Sequence, residues 1–258
     1  MNFNNTYLTL ELSSYCNLNC EFCSQHNSKL VNKSFLSFEL FKKIINELAD
    51  SKDEMMSINP YFRGESLLHP EFVKMMDYLY QISEEKTVCE YIVLHTNGLL
   101  LDNEKGEAIL RLCDQSRLKH PGNLVISIDA ASRGKYKAVR GGDFELLLNN
   151  IRNFLKLRME KNQWGPNVIF QFIMMEENTG EELEFFKLFS RICSENSHKK
   201  LRALTSFNNK SFEVQGDLVY YRMQEGDPLS SEKLNQDYRK RVNELREKIE
   251  DLIVLESE

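Results

Sequence analysis

Apolar and polar positions along this chain repeat in two periods. Tyr7–Leu12, Ser57–Phe62, Tyr91–His95, Leu124–Asp129, Val168–Met174 and Leu201–Thr205 are short apolar or alternating runs and read as strands. Between them lie longer stretches with apolar residues three and four apart. Ser37 can cap a helix reaching Asp50, with Phe38, Phe41, Ile44, Ile45 and Leu48 on one stripe. Further helices are predicted from Pro70 to Ser83, over Glu104–Cys113, from Asp143 to Lys161 and over Glu181–Ser194, with Ala130–Gly142 a loop. Six strand–helix steps predict an α/β fold with a parallel sheet, because parallel strands need crossover connections. Right-handed crossovers then favour a curved sheet or a partial (β/α)6 barrel with helices outside. Chemistry is expected at the C-terminal strand ends. The segment after Leu12, Arg63–Ser66, Thr96-Asn97-Gly98 and the loop after Asp129 all lie there.

The rest of the chain departs from this rhythm. Ser211–Met223 has strand-like pieces without an assigned partner. Ser230–Leu255 reads as a charged helix with Leu234, Tyr238, Val242, Leu245, Ile249 and Leu252 on one stripe. Docking on the barrel is preferred over self-association for that stripe. Residues 1–207 are expected to form the barrel domain and 208–258 an extension.

Composition narrows the class. With 41% hydrophobic and 28% charged residues the 258-residue chain is ordinary for a soluble protein. A net charge of -6 argues against a general nucleic-acid binder. No apolar run approaches membrane-spanning length and no signal-peptide pattern opens the chain, so a cytoplasmic protein is expected. Of 6 cysteines, Cys16, Cys20 and Cys23 are clustered, while Cys89, Cys113 and Cys193 stand apart. That distribution fits a metal site and buried thiols in a reducing compartment better than disulfides.

Three thiolates on one tight loop suit a metal or an iron–sulfur cluster. No fourth cysteine lies nearby, so a cluster here would keep one iron open. The competing reading is zinc, with His26 as fourth ligand.

Cys16-x3-Cys20-x2-Cys23, with Phe22 before the third cysteine, resembles the signature of the radical S-adenosylmethionine (SAM) superfamily. Arg63-Gly64-Glu65-Ser66 is similar to that family's Gly-Gly-Glu-Pro segment, with Arg63 in place of its first glycine and Ser66 in place of its proline. Thr96-Asn97-Gly98, Ser127-Ile128-Asp129, Tyr136 and Val139-Arg140-Gly141-Gly142 resemble the third and fourth strand ends of members that modify peptides. The resemblance implies a [4Fe-4S] cluster on Cys16, Cys20 and Cys23 and SAM on its open iron. Reductive cleavage of SAM would give a 5′-deoxyadenosyl radical that abstracts a substrate hydrogen.

It also implies roles for named residues. Gly64 and Glu65 would meet the SAM amino group, Ser127 and Arg140 its carboxylate, and Thr96 and Asn97 would lie beside the cofactor. Phe22 would shield the cluster or stack near adenine. Gln171 is polar within an apolar strand and reads either as a ribose or carboxylate contact or as an ordinary buried hydrogen bond. Met175 and Leu204 would pack against adenine or only in the core. His69 and His95 are expected to serve local packing, and Tyr220, Tyr221 and Cys193 are conceivable hydrogen donors. No cysteine follows Cys193, which points to one cluster or to a shortened form. The implied partners are a peptide or small-molecule substrate, the peptide preferred, and an electron donor such as flavodoxin or ferredoxin. Neither nucleic acid nor membrane is expected. A non-catalytic metal- or partner-binding protein of the same fold is the alternative.

Overall fold

The computed structural model describes residues 6–20, 22–23, 32–51, 55–113, 118–161, 165–197, 201–205, 216–223 and 240–249. Among the described residues, seven parallel strands form one sheet: β1 (Tyr7–Thr9), β2 (Met55–Asn59), β3 (Cys89–Thr96), β4 (Asn123–Ser127), β5 (Asn167–Met174), β6 (Arg202–Thr205) and β7 (Leu218–Met223). Their order is β1-β2-β3-β4-β5-β7-β6. The helices are α1 (Phe38–Asp50), α2 (Phe72–Glu85), α3 (Asn103–Leu112), α4 (Arg133–Val139), α5 (Phe144–Glu160), α6 (Glu182–Ser197) and α7 (residues 240–249). This is the partial-barrel α/β fold that the alternating pattern predicts.

The period-two pattern of the strands explains the layering. Ile92, Leu94, Leu124, Ile126, Phe170, Phe172 and Tyr221 face the helices and join the main core with Phe41, Met75, Ile109, Ile151 and Phe185. The alternate positions Tyr91, Val93, Val125, Ile169 and Leu218 form a second apolar cluster, with Met56, Tyr61 and Tyr220 packed on it. Two residues further along the same strands stand His95, Ser127, Gln171 and Arg222, all on the wall of one cavity. The inner face therefore runs from an apolar floor to a polar upper tier.

The sheet has one strand more than the six expected. β7 enters between β5 and β6, pairing Gln171 with Tyr220 on one side and Leu204 with Tyr220 on the other. The barrel thus draws on residues beyond 207. A buried ion pair fixes the insertion. Arg158 on α5 donates from Nη1 to Asp217 Oδ1 at 2.8 Å and from Nη2 to Asp217 Oδ2 at 2.5 Å. Asp217 Oδ1 also accepts from the Val168 amide at 2.9 Å, and Gly216 N–H donates to Asn167 Oδ1 at 2.8 Å.

Other differences have local causes. The second strand ends at Asn59, because Pro60 has no N–H for the ladder and its carbonyl instead accepts from Ser66 Oγ at 2.6 Å. Helix α2 opens at Phe72, since Pro70 and Glu71 turn while the Phe72 amide bonds to the His69 carbonyl at 3.1 Å. The expected loop 130–142 contains α4, whose N-cap is Ser132 and whose Tyr136 and Val139 are buried. A short 3-10 helix, Ser66–Leu68, follows Glu65, whose side chain accepts from the Leu67 amide. In α7, Val242, Leu245 and Ile249 join the main core, and Arg241 pairs with Glu182 on α6. Leu234, Tyr238 and Leu252 lie outside the described residues.

Candidate functional site

A cavity of about 400 Å³ opens at the C-terminal ends of the strands. Its wall includes Cys16, Cys20, Phe22, Cys23, Gly64, Glu65, Thr96, Asn97, Ser127, Arg140 and Gln171. Those residues come from the loop after β1, the segment after β2, the ends of β3, β4 and β5, and, for Arg140, the C-cap of α4. Parallel strands deliver every such end to the same rim.

The cysteine loop is held against the segment after β2. A Cβ on Gly64 would lie 2.0 Å from the Ser13 carbonyl oxygen and 2.6 Å from that of Tyr15, so only glycine allows this approach. The next amide, Glu65 N–H, donates to the Tyr15 carbonyl at 2.8 Å. Ser13 Oγ in turn accepts from the Tyr15 amide at 3.1 Å. The Cys23 amide bonds to the Cys20 carbonyl at 3.0 Å, which closes the turn carrying the last two thiols.

Glu65 is 3% exposed and is a hydrogen-bond hub in the cavity wall beside the thiols. Its Oε1 accepts from Leu67 N–H at 3.0 Å and from Thr96 Oγ at 2.8 Å, and its Oε2 accepts from Asn97 N–H at 2.7 Å. Burial pushes its carboxyl above the ordinary range, and these donors oppose the shift. Asn97 also ties this hub to the cysteine loop, donating from Nδ2 to Asn17 Oδ1 at 2.8 Å. Gly98 follows with φ +77, a turn conformation that glycine adopts freely.

Arg140 forms the opposite side. It pairs with buried Asp129 and sits 4.9 Å over the Phe22 ring. Its Nη1 lies 3.9 Å from Cys20 Sγ, and its carbonyl accepts from that thiol at 3.7 Å. Burial raises the Cys20 thiol pKa, with the Arg140 guanidinium as the chief opposing influence. Burial likewise raises Cys16, where the Glu65 carboxylate and the other two thiols add to the effect. All three cysteines line the same cavity. Among the described residues, no group of three or more His, Cys, Asp or Glu is placed so that it could hold a metal ion. The donor set nevertheless suits an iron–sulfur cluster, since a bound cation favours the thiolate form that burial alone disfavours. His26, the fourth ligand of the zinc reading, lies outside the described residues.

Two placements differ from expectation. Met175 does not line the cavity; it is buried past the end of β5 with its amide bonded to Asn178 Oδ1 at 2.8 Å. Ile173, two residues earlier on the inward face, lines the wall instead. His69 is structural, as expected: Nδ1 accepts from the Glu71 amide at 3.0 Å, so Nε2 carries the proton donated to the Leu36 carbonyl at 2.8 Å. His95, also assigned to packing, lies on the cavity wall. It stacks on Tyr61 with ring centroids 4.0 Å apart, and its buried Nε2 has no hydrogen-bond partner among the described residues. Gln171 donates from Nε2 to Ser127 Oγ at 3.2 Å, so it makes a buried hydrogen bond while lining the cavity.

The family model of the radical SAM superfamily matches residues 10–189. The chain belongs to the radical SAM superfamily. Structures of Streptococcus suis SuiB bound to S-adenosylmethionine and of anSMEcpe with bound AdoMet have the same fold. The first has a TM-score of 0.61 at 13% identity, covering 98% of this chain and 48% of SuiB. The second has a TM-score of 0.55 at 16% identity, covering 89% and 53%. Among curated proteins, GTP 3',8-cyclase of Clostridium perfringens is 26% identical over 153 residues, which is 58% of this chain and 43% of the cyclase. The tungsten-containing aldehyde ferredoxin oxidoreductase cofactor-modifying protein of Pyrococcus furiosus is 36% identical over 101 residues, covering 38% and 25%. This radical SAM chain spans about half the length or less of each of these relatives.

Arg222, Tyr61 and Asp129 are site residues that sequence reasoning left unassigned. A signal for Arg222 was present: Leu218, Tyr220 and Arg222 alternate on one face, and the last is charged.

Proposed function

We propose that this protein is an enzyme that binds a [4Fe-4S] cluster through Cys16, Cys20 and Cys23 and cleaves SAM reductively to start hydrogen abstraction from a peptide. One observation carries the reading: a single cavity at the strand ends collects the three thiols together with Glu65, Thr96, Asn97, Ser127, Arg140 and Gln171. When bound, cluster and SAM supply a one-electron cleavage that yields a 5′-deoxyadenosyl radical able to take a hydrogen atom.

The chain's own residues supply binding and orientation. Glu65 offers a carboxylate already fixed by three donors, so an ammonium reaching Oε2 meets a positioned acceptor. Ser127 and Arg140 offer a hydroxyl and a guanidinium to a carboxylate, with Asp129 holding the guanidinium in place. Phe22, which lines the cavity with the Arg140 guanidinium over its ring, would shield the thiol side from water. The apolar floor of Tyr91, Val93, Val125, Ile169 and Leu218 closes the barrel below, which suits a reactive radical that must be kept from solvent.

The peptide preference has support from the same fold in SuiB bound to precursor peptide SuiA, with a TM-score of 0.56 at 13% identity. The sequence similarity to GTP 3',8-cyclase favours a second reading, a small-molecule substrate. A low-potential donor such as flavodoxin or ferredoxin would reduce the cluster, and a reducing cytoplasm would keep the thiols available.

Anaerobic reconstitution tests the proposal. The protein should turn brown and hold about four irons per chain, as a cluster of this type requires. With dithionite and SAM it should release 5′-deoxyadenosine. Colourless protein with stoichiometric zinc, or a cluster that never cleaves SAM, would overturn it.

A further inference from the structure

Beyond β4 the backbone takes an uncommon turn. Asp129 has φ +62 and is the only non-glycine residue in the left-handed region among the described residues. That conformation is costly for an L side chain and persists where neighbours enforce it. The enforcing bonds are identifiable. The Ile128 and Asp129 amides both donate to the Gln171 carbonyl, at 3.1 and 3.3 Å. Asp129 Oδ1 accepts from the Ile173 amide at 2.7 Å. The Asp129 carbonyl accepts from Asn178 Nδ2 at 2.9 Å.

Asn178 is 0% exposed and lies in the connection between β5 and α6. Its Nδ2 donates a second bond to the Ile173 carbonyl at 2.8 Å, and its Oδ1 accepts from the Met175 amide at 2.8 Å. One side-chain amide thus ties the end of β4 to the end of β5. The same connection carries Glu181, whose carboxylate accepts from the Ala131 amide at 2.7 Å and from the hydroxyl of Ser132, the N-cap of α4. Arg140 stands at the other end of that short helix and pairs with Asp129. Both members of the Asp129–Arg140 pair are therefore anchored from residues 178–181. Arg140 lines the cavity and Asn178 does not.

We infer that Asn178 is a positioning residue for the carboxylate side of the SAM site: it locks the turn at Asp129, and through Asp129 it sets where the Arg140 guanidinium points. This inference rests on the proposed SAM-binding reading and extends it to a residue that touches no ligand. Without the Asn178 amide, φ at Asp129 can return to negative values and the guanidinium loses its fixed counter-charge. Direction matters because the guanidinium is a planar fork that meets a carboxylate in preferred orientations. Glu65 is held by a separate set of donors, so the amino side of the site should not feel the change.

The test measures SAM affinity by equilibrium dialysis on full-length protein loaded anaerobically with iron and sulfide. Asn178→Ala should weaken SAM binding roughly 10- to 100-fold, the range for one hydrogen bond to a charged group, with iron per chain at the wild-type level. Asn178→Ser keeps a hydroxyl donor and should recover part of the loss. Arg140→Lys keeps a cation beside Asp129 but not the fork. In that background Asn178→Ala should weaken SAM binding by no more than about twofold further, because both changes act on one contact. A purely structural Asn178 would instead give the full loss again, or lose iron in parallel, and either result overturns the inference. Circular dichroism identifies a variant that fails to fold. If Asn178→Ala does, Asn178→Ser is carried through the same cycle, and failure of both to fold assigns Asn178 to stability alone. A folded Asn178→Ala that binds SAM as wild type does sinks this inference and leaves the SAM reading standing. Wild-type protein that takes up iron yet binds no SAM sinks both.

Discussion

Replacing Asp217 with Asn preserves side-chain shape and removes the anion facing Arg158. The two side chains are 0% and 1% exposed, so neither charge has water to fall back on. Arg158 would keep its bond to the Pro166 carbonyl at 2.8 Å and lose its charge partner. Leaving one member of a buried pair uncompensated costs about 3–5 kcal/mol. Set against the ~5–15 kcal/mol that stabilises a typical domain, this lowers the folded-to-unfolded ratio by roughly a hundred- to several-thousand-fold. In urea, with a slope near 3 kcal/mol per molar, the unfolding midpoint should fall by about 1–2 M. The double variant Arg158→Met with Asp217→Leu should recover most of that loss, because apolar replacement of a whole buried pair is often neutral. A single variant whose midpoint stays within about 0.3 M of wild type would refute the reasoning, given that slope. So would a double variant as unstable as the single one.

Three further outcomes follow from the site. Gly64→Ala should destabilise the fold by at least about 1–3 kcal/mol and lower iron uptake, since its methyl group would meet two backbone oxygens; urea melts and iron assay check both. Burial pushes the His95 pKa down to about 3, so the folded state binds fewer protons there than the unfolded chain. Stability contributed by neutral His95 is therefore complete above about pH 6.5 and is lost as pH falls toward 3, by about 5 kcal/mol at most. His95→Gln should flatten the melting temperature between pH 7 and 4 relative to wild type, and an unchanged slope would contradict this. Cys20→Ala should abolish both the brown colour and 5′-deoxyadenosine release, whereas Cys193→Ala, in α6 away from the cavity, should leave the iron content intact.

The barrel and most of its rim were legible because both rest on local signals. Alternation set the strands, and the turn residues Gly64 and Gly98 marked places where backbone must come close or turn left-handed. What stayed hidden depends on contacts across long separations. The insertion of β7 requires Asp217 to meet Arg158, and no period in the sequence reports that pairing. Met175 and Ile173 differ only in whether the strand's alternation continues past Met174, and the bond from Met175 to Asn178 ends it. His95 looked like a packing residue because its neighbours are apolar; its position at the upper edge of the floor puts its ring into the cavity. Helix α4 escaped notice since a 7-residue helix carries too few apolar positions to show a period.

The place of β7 also bears on how the molecule is made. During synthesis β6 emerges before β7, and for a time on the order of seconds the edge of β5 is bare while β6 is already available. Both are short parallel strands, so β6 is the natural wrong partner for β5. The correct strand arrives carrying a check: Gly216 and Asp217, just ahead of β7, bond to Asn167 and Val168 at the start of β5, and Asp217 also meets Arg158. Leu201, just ahead of β6, has no carboxylate with which to do the same. The ion pair that steadies the finished barrel thus also distinguishes β7 from β6 as the partner of β5.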